Sequence, residues 1–506
     1  MLFEEGLRPF RRLYRRIGDE GCVALAAAFA WLLRLLSHTG LGFGAPRWAS
    51  WYDQGRYLAS STAFLHGNLA GSEHHYPLLY PLLATPFLLL DPCDPFVLPD
   101  MALFALTMVA VVRVAKRLGI GPVPATVFAL LACLGQRHAA NAWLDPWTTT
   151  LAAALIWWLI DRSLVIVLPV DRDVPTAFRA FPVLGALAAA LPLTRPADSV
   201  ASAACLLLVS AVLLVQRRLT PRMTIGILAG GLVIALPYAM LHLAIYGPQA
   251  TAYMKGTAEA GFVFSDVPWK AYTLLVSARP WYPDTRSMIE ALPWLLPAAA
   301  GAVLMLARPG LVRAPLLVVL AIALPYALFY SAFSDLMPPG LWAFGNAHYF
   351  KWLFPLAGLM LWVWLRAFAS WRGATGAISA LLVTIAPTTI RALPVPVAAD
   401  RPARMLLFRG STARDWNEAY FAPAATIDPA GNRMHNIGGF HQIPDASGER
   451  AIAIQRLFVP NTVRDDPGEA AAFAQPQRPY ARYGVALSIG LPCWLRRAAC
   501  AMPLAR

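Results

Sequence analysis

Between Gly21 and Ala392 the chain is a succession of apolar runs, most of them close to the length of about 20 residues that a helix needs to cross a bilayer. Segments 20–38, 97–116, 119–136, 147–168, 180–194, 199–216, 223–245, 291–307, 315–334, 349–366 and 374–391 are expected to span the membrane, the fifth being short. That pattern predicts an all-α polytopic membrane protein with about eleven transmembrane helices. Few other folds tolerate so much hydrophobic sequence in runs of this length.

Composition agrees with the pattern. The chain is 58% hydrophobic and only 14% charged, where a soluble chain carries about a quarter charged residues. A charge at the centre of a lipid-facing helix costs roughly 2.5–3.5 kcal/mol on insertion scales, so spans shed charges. Residues 392–506 return to an ordinary soluble mixture, with Gly, Pro and Asp turn signals and short apolar stretches such as Ala451–Val459. Two domains follow: a membrane module over 1–391, and a small C-terminal soluble domain over 392–506, mixed α/β or β-rich.

The formal charge of +14 raises the question of a nucleic-acid partner. Its distribution argues against one. Basic residues stand in short clusters between spans: Arg11, Arg12, Arg15 and Arg16; Lys116 and Arg117; Arg217, Arg218 and Arg222; Arg308 and Arg313; Arg366 and Arg372. Clusters at alternate span ends are the positive-inside signature. They place the N-terminus in the cytoplasm and, with an odd number of spans, the tail outside. Only four of the 42 basic residues are Lys, the bias of a GC-rich bacterial genome. The first apolar stretch lacks a small-x-small cleavage site and reads as a retained span. Cys22, Cys93, Cys133 and Cys205 lie in or beside apolar segments as packing residues, whereas Cys493 and Cys500 could pair in an extracytoplasmic tail.

Three loops on the outer side are long enough to build a site. The first covers 38–96. The second, 247–290, carries Lys255, Asp266, Lys270, Arg279, Asp284 and Arg286, and the third, 335–348, is rich in Pro and Gly. Within the first loop the apolar run Leu78–Leu90 is too short to cross, and Pro81 and Pro86 interrupt it. It reads as an interfacial or re-entrant segment.

Asp53, Arg56 and Tyr57 stand at i, i+3 and i+4, on one face if the stretch is helical. Such an Asp can take a proton from an attacking hydroxyl, or it can be half of a local ion pair. His74, His75, Tyr76 and Tyr80 offer donors and flat faces to a phosphate and a sugar, or anchor the loop at the interface. The His pair lacks a third ligand at a standard zinc spacing, so no metal ligands are assigned. Asp145 and Pro146 precede the fourth expected span, as a cap with Pro at the first helical position, and a capping Asp can also face a site. Arg195, His348 and Lys351 stand at outer span ends. There a cation either snorkels to the interface or meets an anionic substrate.

In order and kind, these elements resemble the GT-C superfamily of membrane glycosyltransferases, which includes protein O-mannosyltransferases and lipid A aminoarabinose transferases. Asp53-Gln54-Gly55-Arg56-Tyr57 is similar to that family's acidic D-E-x-R-Y stretch, and Tyr76-Pro77-Leu78-Leu79-Tyr80-Pro81 to its aromatic-proline motif. Asp145-Pro146 resembles its second acidic position, Thr194-Arg195-Pro196 a recurrent T-R-P element, and His348–Pro355 its late aromatic-basic span. Gln54 stands where a second acid is frequent, Leu78 where a second proline is, and Tyr76 where the aminoarabinose branch carries Lys.

The resemblance implies an inverting transfer from a polyprenyl-phosphate-linked sugar to an acceptor hydroxyl on the outer face of a bacterial inner membrane. Asp53 would act as general base and Asp145 would support the acceptor. Arg56, Arg195 and Lys351 would hold the lipid phosphate, with Tyr57, His74, His75, Tyr76, Tyr80 and His348 contacting substrate. The acceptor would be a cell-envelope glycan, lipid or protein. No cofactor is assigned, and a divalent cation is left open. The alternatives are a lipid or polysaccharide transporter or flippase, although related halves are not visible in the sequence, and a non-catalytic scaffold whose tail binds a partner.

Overall fold

The computed structural model describes residues 8–39, 52–168 and most of 174–370, together with the backbones of strands between 390 and 489. The chain divides into two compact units. One holds Met1–Met254, Trp294–Phe329 and Ala347–Trp371, and the other holds Lys255–Pro293, Tyr330–Asn346 and Arg372–Arg506.

In the first unit α1 is Arg8–Thr39, α2 Tyr52–Leu65, α3 Leu79–Ala84, α4 Val97–Arg117, α5 Pro122–Leu134, α6 Arg137–Leu144 and α7 Thr148–Val167. Then come α8 Val174–Thr194, α9 Ser199–Val215 and α10 Pro221–Tyr246. In the second unit α11 is Val267–Leu275 and α12 Met288–Ala291. Later helices are α13 Leu295–Ala307, α14 Arg313–Ala332, α15 Gly340–Ala343 (in the second unit) and α16 Leu353–Ser370.

Among the described residues six helices are long and apolar enough to cross a membrane: Gly18–Ser37 within α1, α4, α7, the 196–215 segment that includes α9, α10 and α14. The chain is a multi-pass membrane protein. Four further expected spans coincide with shorter helices, α5, α13, α16 and the 179–194 part of α8. At 1.5 Å per residue the 13 residues of α5 reach about 20 Å, short of a hydrocarbon core of about 30 Å. The expected eleventh span, 374–391, falls almost wholly outside the described residues.

α7 is the hub of the bundle, packing on α4, α8 and α9, while α16 packs on α5 and α13. Two indoles bolt this arrangement together: Trp31 Nε1 donates to the Trp143 carbonyl at 3.1 Å, and Trp157 Nε1 to the Trp352 carbonyl at 2.8 Å. α8 and α10 meet through glycines. A Cβ at Gly185 would stand 1.9 Å from the Ile227 carbonyl, and one at Gly230 the same distance from the Pro182 carbonyl. Only a residue with no side chain permits that approach, as in small-residue crossings of membrane helices. The rest of α10 exposes Ile225, Leu228, Leu232, Val233, Leu236 and Met240, an apolar face that suits lipid.

Toward their C-terminal ends α4 and α7 join the start of the first span in an ion cluster. The fully buried Asp161 carboxylate accepts from Arg162 and from Arg113 at 3.2 Å, with Arg117 at 3.7 Å. Arg113 also meets Glu20, and Lys116 meets Asp19, each at 2.6 Å. The expected basic pair Lys116–Arg117 is thus tied to acids rather than simply solvated.

In the second unit a capping box starts α12, Ser287 and Glu290 each satisfying the other's backbone N–H. Lys270 is buried and its ammonium donates to the Phe333 carbonyl, whereas Lys255 and Arg286 are exposed. Asp266, Arg279, Asp284, Cys493 and Cys500 lie outside the described residues. The backbone of the tail runs through β1 Ile390–Phe408, β2 Trp416–Pro423, β3 Gln442–Pro444, β4 Arg450–Ile452, β5 Gln455–Pro460 and β6 Pro479–Ile489. Sheet order is β5-β2-β1-β6, antiparallel throughout, with β3 paired to β4.

Candidate functional site

Asp53 lies in the first turn of α2, where the helix dipole favours a carboxylate. It is partly buried, and the Tyr76 hydroxyl donates to it. Four residues after Tyr76, the buried Tyr80 hydroxyl donates to the Asp100 carboxylate at 2.8 Å. Tyr57 stands edge-on to both phenols, at 4.9 and 5.5 Å between ring centres. The Tyr-Pro-Leu-Leu-Tyr-Pro motif therefore presents two phenols to two carboxylates, with a third tyrosine wedged between. Burial pushes the Asp53 carboxyl up, and the Tyr76 hydrogen bond and the Arg195 charge partly offset that. Burial and the Asp53 charge push the Tyr57 and Tyr76 phenols well up, so both stay protonated donors.

Arg195 is placed by a local rule. It precedes Pro196, which disfavours helical backbone at the preceding residue. α8 accordingly ends at Thr194, with Arg195 extended at φ −153° and ψ 111°. Its side chain is buried rather than snorkelling to water. The guanidinium lies over the Tyr349 ring at 4.7 Å, with Asp198 Oδ2 at 4.0 Å from Nε. Tyr326 braces the same spot, donating to Asp198 Oδ1 at 3.2 Å and within 3.0 Å of the Tyr349 carbonyl. The Arg195 charge reaches Asp53, Tyr57, His348 and Lys351. It is the electrostatic centre of the cluster.

His348 stacks on Trp147 at 4.0 Å, and its Nδ1 is 3.1 Å from Thr149 Oγ1. Burial holds its imidazole well below the usual range, and the neighbouring Arg195 and Lys351 charges add to that, so the ring is neutral. Lys351, fully enclosed, donates to the Ala142 carbonyl at 2.9 Å and to Thr150 Oγ1 at 2.7 Å, and lies over the Trp143 ring at 5.1 Å. Asp100 and Asp145 are within electrostatic reach of its ammonium.

Asp53, Tyr57, Tyr76, Tyr80, Arg195, His348, Lys351 and Asp145 are therefore linked in one cluster. Three expectations change. His74 is buried with both ring nitrogens engaged, Nδ1 to Ser60 Oγ at 2.7 Å and Nε2 to the Asn68 carbonyl at 2.9 Å, so it is a strut of the loop and not a substrate contact. Asp145 does not cap the following helix with Pro146 in its first turn. It is the C-cap of α6, extended at φ −71° and ψ 141° ahead of Pro146, and α7 starts at Thr148 after Trp147 as N-cap. Lys351 is interior, two residues before α16 begins, so it does not snorkel. Arg56 and His75 are partly buried, and the Arg56 charge adds to burial in holding the His75 imidazole down.

Sequence reasoning missed Asp100, Asp198, Trp147 and the Thr148-Thr149-Thr150 run. A signal existed for the two acids, Asp100 inside an expected span and Asp198 at the edge of another, since a carboxylate at such a position is a functional candidate by default. The threonines gave none, because their role depends on a partner some two hundred residues away. Among the described residues no cluster of three or more His, Cys, Asp or Glu could hold a metal ion.

No protein-family model matches the chain, and no curated protein does. Among solved structures it is similar to ArnT from Cupriavidus metallidurans bound to undecaprenyl phosphate. The two share 18% identity at a TM-score of 0.47, over 72% of this chain and 63% of that one. The apo state of the same protein gives the same identity and TM-score, over 72% and 62%. The chain thus spans less than two thirds of the length of the structures it matches.

Proposed function

We propose that this protein is an inverting GT-C-type glycosyltransferase that moves a sugar from a polyprenyl-phosphate donor to an acceptor hydroxyl at the outer face of a bacterial inner membrane. The observation that carries the reading is a partly buried, Tyr76-bonded carboxylate, Asp53, within electrostatic reach of the buried Arg195 guanidinium. A base and a phosphate-binding cation within electrostatic reach of one another are what a single displacement at an anomeric carbon requires.

In the transfer step the acceptor oxygen attacks the anomeric carbon as its proton passes to Asp53. The bond from that carbon to the phosphate oxygen breaks, and its electron pair leaves with the polyprenyl phosphate. Arg195, with Asp198 Oδ2 at 4.0 Å from its Nε and the Tyr349 ring at 4.7 Å from its guanidinium, stabilises the charge that grows on the departing phosphate, with the partly buried Arg56 as a second cation. Asp145 supports the acceptor side, and Tyr57, His75 and His348 line the approach. The acceptor is an envelope glycan, lipid or protein.

The test is transfer by the purified full-length protein in detergent, using a panel of polyprenyl-phosphate sugars with envelope glycolipid and protein acceptors. The expected result is a glycosylated acceptor and an equal amount of free polyprenyl phosphate. Movement of intact donor across vesicles carrying the protein, with no transfer from any donor, would favour the flippase alternative.

A further inference from the structure

Lys351 looked from the sequence like a phosphate ligand at a span end, yet its ammonium has no exposed surface. Its two hydrogen bonds go to Ala142, three residues before Asp145, and to Thr150, five residues after. Those contacts straddle the turn that joins α6 to α7. The turn needs an outside support. Asp145 and Trp147 are both extended and Pro146 has no N–H, so no continuous helix ladder runs through it. Trp143 beneath the ammonium and Trp147 stacked on His348 close the same turn from either side. Every one of these contacts comes from the segment that leads into α16.

We infer that Lys351 is a positioning residue that clamps the Ala142–Thr150 turn and thereby fixes the Asp145 carboxylate, rather than a ligand of the donor phosphate. The inference rests on the sugar-transfer reading for Asp145's role, but the clamp itself is testable without any transfer. A misplacement of about 1 Å in such a site can cost roughly 10²-fold in rate, so one buried hydrogen-bonding group has leverage far from the reacting atoms.

Three readouts on the full-length protein in detergent decide it. In Lys351→Met, hydrogen–deuterium exchange is expected to rise at the amides of 142–150 and stay unchanged in α9 and α10. Thr150→Val, which keeps the charge and removes one of the two bonds, should loosen the same turn to a smaller extent. Undecaprenyl phosphate, used as the probe, should bind Lys351→Met as it binds the wild type, and bind Arg195→Met more weakly. Where transfer is measurable, kcat of Lys351→Met falls roughly 10²-fold at unchanged donor KM, and adding Asp145→Asn lowers it little further. Unchanged exchange at 142–150, or weakened undecaprenyl phosphate binding in Lys351→Met, would overturn the inference. A wild type that neither transfers sugar nor binds the probe would instead refute the transferase reading, and the exchange result would still decide the clamp.

Discussion

Replacing Tyr76 with Phe isolates the bond that sets the candidate base. The ring contacts survive, because Tyr57 and Tyr253 each pack at 4.9 Å against a ring that Phe also provides. Only the hydroxyl that donates to Asp53 is lost. A hydrogen bond to a charged acceptor contributes about 1.5–3 kcal/mol, and a factor of ten corresponds to about 1.4 kcal/mol. The sign follows from the chemistry. Burial already pushes the Asp53 carboxyl up and the Tyr76 bond pulls it back. Without that bond the carboxyl holds its proton to higher pH. Since only the ionised form can accept a proton, kcat/KM should fall roughly 10–100-fold on the acid side of the profile. The acid limb should move to higher pH, and the rate should recover toward wild type in alkali. The assay is kcat/KM against pH for the two purified proteins. An acid limb that stays in place, or moves to lower pH, would mean that Tyr76 does not tune the base.

Other substitutions probe the frame around the site. Tyr80→Phe leaves the buried Asp100 without its phenol donor, at a cost of about 1–3 kcal/mol visible as a lower melting temperature in detergent. Gly230→Ala drives a methyl toward the Pro182 carbonyl and should separate α8 from α10, destabilising the protein by about 1–3 kcal/mol in the same assay. Asp161→Asn strips the shared countercharge from Arg117 and Arg162 and leaves Arg113, among the described residues, with Glu20 alone. With about 3–5 kcal/mol at stake in breaking a buried ion cluster, the yield of folded protein should fall sharply.

Local sequence carried much of the fold because membrane helices announce themselves by length and hydropathy. It carried less of their true extent: Pro182, Pro192 and the short α5 and α13 make helices that periodicity alone reads as full spans. At the site, Asp53, Tyr76, Tyr80 and Arg195 were legible because each sits in a compact local pattern, and the Arg195 backbone follows directly from Pro196. His74 misled because nothing local shows that Ser60 and Asn68 occupy both ring nitrogens. Asp145 misled because Pro146 suits a first helical position, while its constraint on the preceding residue also ends α6. Asp100 and the three threonines became visible only when the packing of α4, α7 and the 346–352 segment brought them to Tyr80, His348 and Lys351.

The most direct measurement is single-turnover transfer by purified Asp53→Asn beside the wild type, with donor binding followed in the same samples. An amide fills the same space and cannot take the acceptor's proton, so donor should bind normally while transfer slows by roughly 10²–10⁴-fold. Transfer at the wild-type rate would remove Asp53 from the chemistry and, with it, the pairing of base and cation on which the proposed reaction stands.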